Sequence, residues 1–198
     1  MQKLLILFSF IVLYNTNADA QLFKSVLSGG NNISNAVAGN NISNAVAVIA
    51  ENFQNNFYNV QGEELPAEEG RDVFSSNVKI PGSMYSIIYR FHSKEDSTAA
   101  FESLLYEGES YKDALKAYKQ AFRQLKGMKF NSTFGKLSFD GKMEEPSDVL
   151  KFTSSNLYTD ADSKPYKYFM AQIEILQSIE GWKVKLNLHS RKDDSKRY

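Results

Sequence analysis

Residues Phe169–His189 read FMAQIEILQSIEGWKVKLNLH, and this stretch decides the fold class. Before Glu180-Gly181, Phe169, Ala171, Ile173 and Ile175 alternate with Met170, Gln172 and Glu174; after it, Trp182, Val184, Leu186 and Leu188 alternate with Lys183, Lys185, Asn187 and His189. A period of two sends successive side chains to opposite faces of a strand, so each segment has one apolar and one polar face. Two such segments joined at a Glu-Gly turn predict an antiparallel hairpin, buried on one side and wet on the other.

An apolar sheet face needs a cover, and the best candidate lies upstream. Ser110 is placed as an N-cap, Asp113 completes a capping-box pattern three residues later, and Gly127 stands where a helix would end. Between them Tyr111, Ala114, Leu115, Tyr118, Phe122 and Leu125 fall on one helical face. Burying that stripe is worth about 1.5 to 3 kcal/mol for each large side chain. The other face carries Lys112, Lys116, Lys119, Arg123 and Lys126 with only Asp113 nearby, a one-signed ridge suited to an anionic partner.

A first helix is expected over 44–58, capped by Ser43 or Asn44, from the spacing of Val46, Ile49, Ala50, Phe53 and Phe57. The acidic run from Gly62 to Asp72, with Pro66 and Gly70, reads as a solvated linker. Val78-Lys79-Ile80, the turn Pro81-Gly82, and Tyr85, Ile87, Tyr89 and Phe91 on one face against Ser86, Arg90 and His92 on the other predict a hairpin. Thr98 to Glu107 reads as a strand, followed by strands around Phe134, Leu137 and Phe139 and at Val149 to Phe152. The order is α+β: a single, mostly antiparallel sheet of about six to seven strands with two helices packed on one face, arranged as two α-βββ halves.

The first twenty residues carry Lys3, an apolar stretch from Leu4 to Leu13 broken only by Ser9, and Ala18-Asp19-Ala20. Together these form a secretory signal with an A-x-A cleavage site, too short in its apolar part for a membrane-spanning helix. The expected organisation is a signal over 1–20, an Asn/Gly-rich arm over 21–43, one α+β domain over 44–190 and a charged tail over 191–198. The arm contains Asn31–Ala38 (NNISNAVA), repeated without change as Asn40–Ala47. Its offset of nine turns the copies to different faces of any helix or strand, so it reads as a local duplication in an insertion-tolerant segment. The expected location is secreted or periplasmic.

Chemistry is constrained mainly by what is missing. The chain has no cysteine, which removes thiol catalysis, thiolate metal sites, disulfides and lipid attachment at a new N-terminal Cys. Its 23 basic and 23 acidic residues balance, so no global field steers it to nucleic acid. No G-x-S-x-G, phosphate-binding Gly-rich loop or H-E-x-x-H occurs. No catalytic residue, metal ligand or cofactor is assigned. The two histidines, His92 and His189, fall on polar strand faces and are read as solvated. Asp160 and Asp162 sit in a hairpin loop that lacks the continuation of a calcium site, and the acids at Glu144, Glu145 and Asp148 are not shown to face one another. Sequons begin at Asn32, Asn41 and Asn131.

The functional expectation is an exported, non-catalytic binding or assembly module of the cell envelope. It would use the polar sheet face or sheet edge, and the ridge of Lys112, Lys116, Lys119, Arg123 and Lys126, to hold an anionic envelope component or another protein. The rival classes are a small envelope hydrolase working through carboxylates and a carrier of an apolar ligand. Convergent polar groups in a deep pocket would favour the first, and a large dry cavity the second.

Overall fold

The computed structural model describes residues 41–92, 99–161 and 166–190, all within the compact unit that runs from Ile33 to Tyr198. The expected signal, the first copy of the repeat, Asp162 and the charged tail lie outside the described residues.

Helix α1 (Ser43–Glu51) opens the described chain and is followed by two 3-10 turns, Phe53–Asn55 and Tyr58–Val60. Strands β1 (Gln61–Glu68), β2 (Arg71–Ser76), β3 (Tyr85–Phe91) and β4 (Ala99–Gly108) precede helix α2 (Tyr111–Leu125). Strands β5 (Lys129–Ser132), β6 (Gly135–Asp140), β7 (Phe152–Thr159), β8 (Phe169–Ser178) and β9 (Gly181–Ser190) follow. All pairings are antiparallel, and the order across the single nine-stranded sheet is β1-β2-β3-β4-β9-β8-β7-β6-β5. Two meanders therefore run inward from opposite edges and meet where β4 pairs with β9.

The α+β class and the single antiparallel sheet are as expected; the strand count is higher. The acidic run expected as a linker forms β1 and β2, a hairpin that turns at Gly70, whose φ is +77°. Pro66 and the exposed Glu63 and Glu64 misled because a proline and surface charges are also what an edge strand uses to resist pairing with another chain. Only Leu65 of β1 is buried. The expected strand at Val78-Lys79-Ile80 is instead a loop, since the partner of β3 is β2. Val149 and Leu150 are exposed, and the strand expected there starts at Phe152. The two halves are thus an α followed by four strands and an α followed by five, not two α-βββ units.

The helix expected over 44–58 stops at Glu51, where the chain tightens into the 3-10 turns and Asn56 and Phe57 take left-handed φ values of 50° and 61°. All five residues that signalled it, Val46, Ile49, Ala50, Phe53 and Phe57, are buried nonetheless. Its N-cap is Ile42, and the side chain of Asn41 accepts the Ser43 N–H at 2.9 Å. Helix α2 follows its sequence signals closely: Ser110 Oγ accepts the Asp113 N–H at 3.2 Å, and Gly127 leaves the helix at φ +74°. Ala114, Tyr118, Phe122 and Leu125 of its stripe are buried.

Both helices lie against the same sheet face, here termed proximal. Phe53, just after α1, stacks on Phe169 with ring centroids 4.2 Å apart, while Tyr111 of α2 packs on Trp182 at 4.8 Å. Phe130, Phe139, Tyr166 and Phe169 join the same ring cluster, so much of the aromatic surplus is core. The opposite, distal face carries no helix among the described residues. Strand β3 departs from the one-face-wet pattern: Ile88 packs into the proximal core, and Ile87 and Tyr89 are buried on the distal side. Both faces of a strand near the centre of a wide sheet are occupied, which a period of two cannot express.

Candidate functional site

The ridge expected on α2 exists as a surface. Lys112, Lys116, Arg123 and Lys126 are exposed and Lys119 is half-buried, on a helix whose apolar side is pinned to the sheet. Two of the five cations are compensated: Lys119 Nζ meets Glu145 Oε2 at 2.7 Å, and Lys126 Nζ stands 3.7 Å from Asp140 Oδ1. Lys112, Lys116 and Arg123 have no carboxylate within ion-pair reach among the described residues. They lie along the outer face of the helix together with Leu115, Gln120 and Gln124. Arg123 lies eleven positions beyond Lys112, a rise of roughly 16 Å.

A second, concave site, which sequence reasoning did not assign, lies on the distal face. Register brings Glu102 of β4 opposite Asn187 of β9, and Asn187 opposite Gln172 of β8. These three residues belong to a groove of about 290 Å³ that also includes Arg71, Tyr89 and His189. Glu102 accepts from Tyr85 Oη at 2.8 Å and from Lys185 Nζ at 3.1 Å. The Arg71 guanidinium lies 3.9 Å from the centroid of the Tyr89 ring and is paired with Glu68. Burial first, and then the Glu102 carboxylate, push the phenols of Tyr85 and Tyr89 well above the usual tyrosine range. Both stay protonated at neutral pH; the Tyr85 hydroxyl donates to Glu102, and the Tyr89 hydroxyl is left available as a donor.

The signal for this site was half present in sequence. Gln172, Asn187 and His189 stood on polar faces of the C-terminal hairpin, and their mutual register follows from its turn. Glu102 joins them because β4 pairs with β9, a contact between residues far apart in the chain, and Tyr89 follows because β3 pairs with β4.

No protein-family model matches this chain, and no curated protein or solved structure matches it. The site is therefore read from its own chemistry.

The remaining candidate residues have structural partners. His92 Nε2 lies 2.8 Å from Asp72 Oδ1, and His189 Nδ1 is 3.2 Å from the Ser190 carbonyl. Among the described residues no group of three or more histidines and acids is placed to hold a metal. Asp160 accepts the Ser138 N–H at 2.7 Å and its hydroxyl at 2.8 Å, and the backbone bond in particular holds its carboxyl below the usual range. At the sequon beginning at Asn131, the side-chain amide donates to Glu51 Oε1 at 3.1 Å. No described helix is long and apolar enough to cross a membrane.

Proposed function

We propose that this chain is an exported, non-catalytic binding module of the cell envelope that holds an anionic partner along α2. The observation that carries this reading is the row of Lys112, Lys116 and Arg123, exposed and without acidic partners among the described residues, on a helix held from beneath. Three uncompensated cations along one axis attract a polyanion and gain from releasing its counterions, a gain that salt removes. Export is the reading of the N-terminal residues described above.

The geometry favours a linear acidic polysaccharide over a lipid surface. An interfacial helix binds a membrane by burying its apolar face among the headgroups and acyl chains. The apolar face of α2 is already committed to the sheet through Ala114, Ala117, Tyr118, Ala121, Phe122 and Leu125. A charged ridge remains, and the half-buried Leu115 between its cations offers little apolar surface to insert.

The test is binding of the full chain to an immobilised linear polyuronate at increasing salt, beside the triple variant Lys112→Glu, Lys116→Glu, Arg123→Glu. The wild type is expected to bind and to weaken steadily with salt, and the variant to lose binding while keeping its unfolding midpoint. Salt-independent binding, or binding unchanged in the variant, would overturn the proposal. Capture by anionic vesicles but not by polyuronate would move the partner to a membrane.

A further inference from the structure

The distal groove lies on the opposite side of the sheet from the helix layer and has a different chemistry from the ridge. Its formal charges are internally compensated: Arg71 pairs with Glu68, and Glu102 is held by Lys185 and Tyr85. What remains for a ligand is neutral and able to hydrogen-bond. The carboxamides of Gln172 and Asn187 make no hydrogen bond among the described residues, and neither does the hydroxyl of Tyr89, although that residue is only 7% exposed. His189 adds an imidazole. Phe91, also in the groove, lies 6.5 Å from the Tyr89 ring between centroids and extends an aromatic wall.

We propose that this groove binds a neutral, hydroxyl-rich ligand the size of one sugar ring, either free or as the terminal unit of a longer glycan. Three considerations select that class. A charged ligand would enter a site where each fixed charge is already matched, and its own desolvation would go uncompensated. An apolar ligand would cover two carboxamides and a phenol without giving them partners, and each buried polar group left unpaired weakens binding. A vicinal diol satisfies both sides, because each hydroxyl donates and accepts, as a carboxamide does through its two ends. The C–H faces of the same ring suit the aromatic wall of Tyr89 and Phe91. The space of about 290 Å³ sits at the small end of ligand pockets, room for one ring and not for an extended peptide.

The experiment is saturation-transfer NMR on the full chain with glucose, galactose and N-acetylglucosamine, with neutral oligosaccharides ending in each, with glucuronic acid as the charged counterpart and with N-acetyl-tetraalanine as a peptide. At least one neutral sugar is expected to bind saturably. Its affinity should fall at least tenfold in Asn187→Ala and Gln172→Ala, and measurably in Tyr89→Phe, which keeps the ring packing and removes only the hydroxyl. Equal affinity for the monosaccharide and its oligosaccharide points to a free sugar, and tighter oligosaccharide binding to a glycan end. The triple charge reversal on α2 should leave these affinities unchanged, so failure of the ridge and failure of the groove are separately visible. The proposal is overturned if no neutral sugar binds saturably, if binding survives Asn187→Ala, Gln172→Ala and Tyr89→Phe alike, or if glucuronic acid or the peptide binds more tightly than every neutral sugar.

Discussion

The hydroxyl of Tyr118 on α2 shares a buried hydrogen bond with Ser155 Oγ on β7, tying the helix to a strand of the second meander. Tyr118 Oη also lies 3.1 Å from the Glu144 carbonyl, and Ser155 Oγ accepts the Glu144 N–H at 2.8 Å. Helix, strand and the segment between β6 and β7 are thus locked by one polar cluster beneath the ridge. Tyr118→Phe keeps the ring and removes the hydroxyl, leaving buried groups short of a partner. It is expected to lower stability by about 1 to 2 kcal/mol, seen as a lower urea midpoint at an unchanged slope. An unchanged midpoint would mean that the cluster does not hold α2 in place.

Tyr166 gives stability an alkaline limit. Its hydroxyl donates to the Ala50 carbonyl at 3.1 Å, and burial, followed by the nearby Glu51 carboxylate, pushes its pKa up from 10.0 to about 12. The folded state therefore holds this proton more tightly than the unfolded chain does. The contribution is fully present below pH 10 and is lost as the pH rises towards 12. Tyr85 and Tyr89, also raised, act in the same direction. Urea unfolding across this range should show a decline that is shallower in Tyr166→Phe; parallel curves would show that Tyr166 does not titrate as described.

Thr153 presents the opposite case. It pairs with Ile175 on the proximal face, and its hydroxyl is buried without a hydrogen-bond partner. Thr153→Val replaces that hydroxyl by a methyl of similar size on a strand position that favours β-branching. The variant should be more stable by up to about 1 kcal/mol, read as a higher thermal midpoint. A lower midpoint would show that the threonine hydroxyl is serving a bond or a packing need of its own.

The export reading has a direct check at the covalent level. Intact-mass measurement of the protein isolated from its own cells is expected to give a chain beginning at Gln21 and found outside the cytoplasm. Recovery from the cytosol with the first twenty residues attached would remove the envelope from the proposed function.

Much of the secondary structure could be read from short-range patterns. The alternation across β8 and β9 holds except at Met170, which is buried although it stands on the polar face, and the capping signals of α2 hold too, because a strand's period and a helix's end are set by nearest neighbours. The errors share one cause. The charges and proline of β1 look like a loop until β2 supplies their hydrogen-bond partners, and Val78–Ile80 looks like a strand until β2 takes its place beside β3. The helix past Glu51 fails similarly: Phe53 and Phe57 keep a helical spacing, but the backbone turns so that their rings reach Phe169 and Phe101.

The amino-acid order alone determined that α2 would be a one-sided helix with a cationic outer face, and that the chain would close on an antiparallel hairpin with Gln172 and Asn187 on its polar side. Tertiary structure alone decided which of the five ridge cations stay unpaired, because Glu145 and Asp140 reach Lys119 and Lys126 from later parts of the chain. It also decided that Glu102 and Tyr89 would meet the two carboxamides, through the pairing of β4 with β9 and of β3 with β4. Periodicity records which way a side chain points, whereas a site depends on which distant strand lies alongside, and that is settled by the packing of the whole sheet.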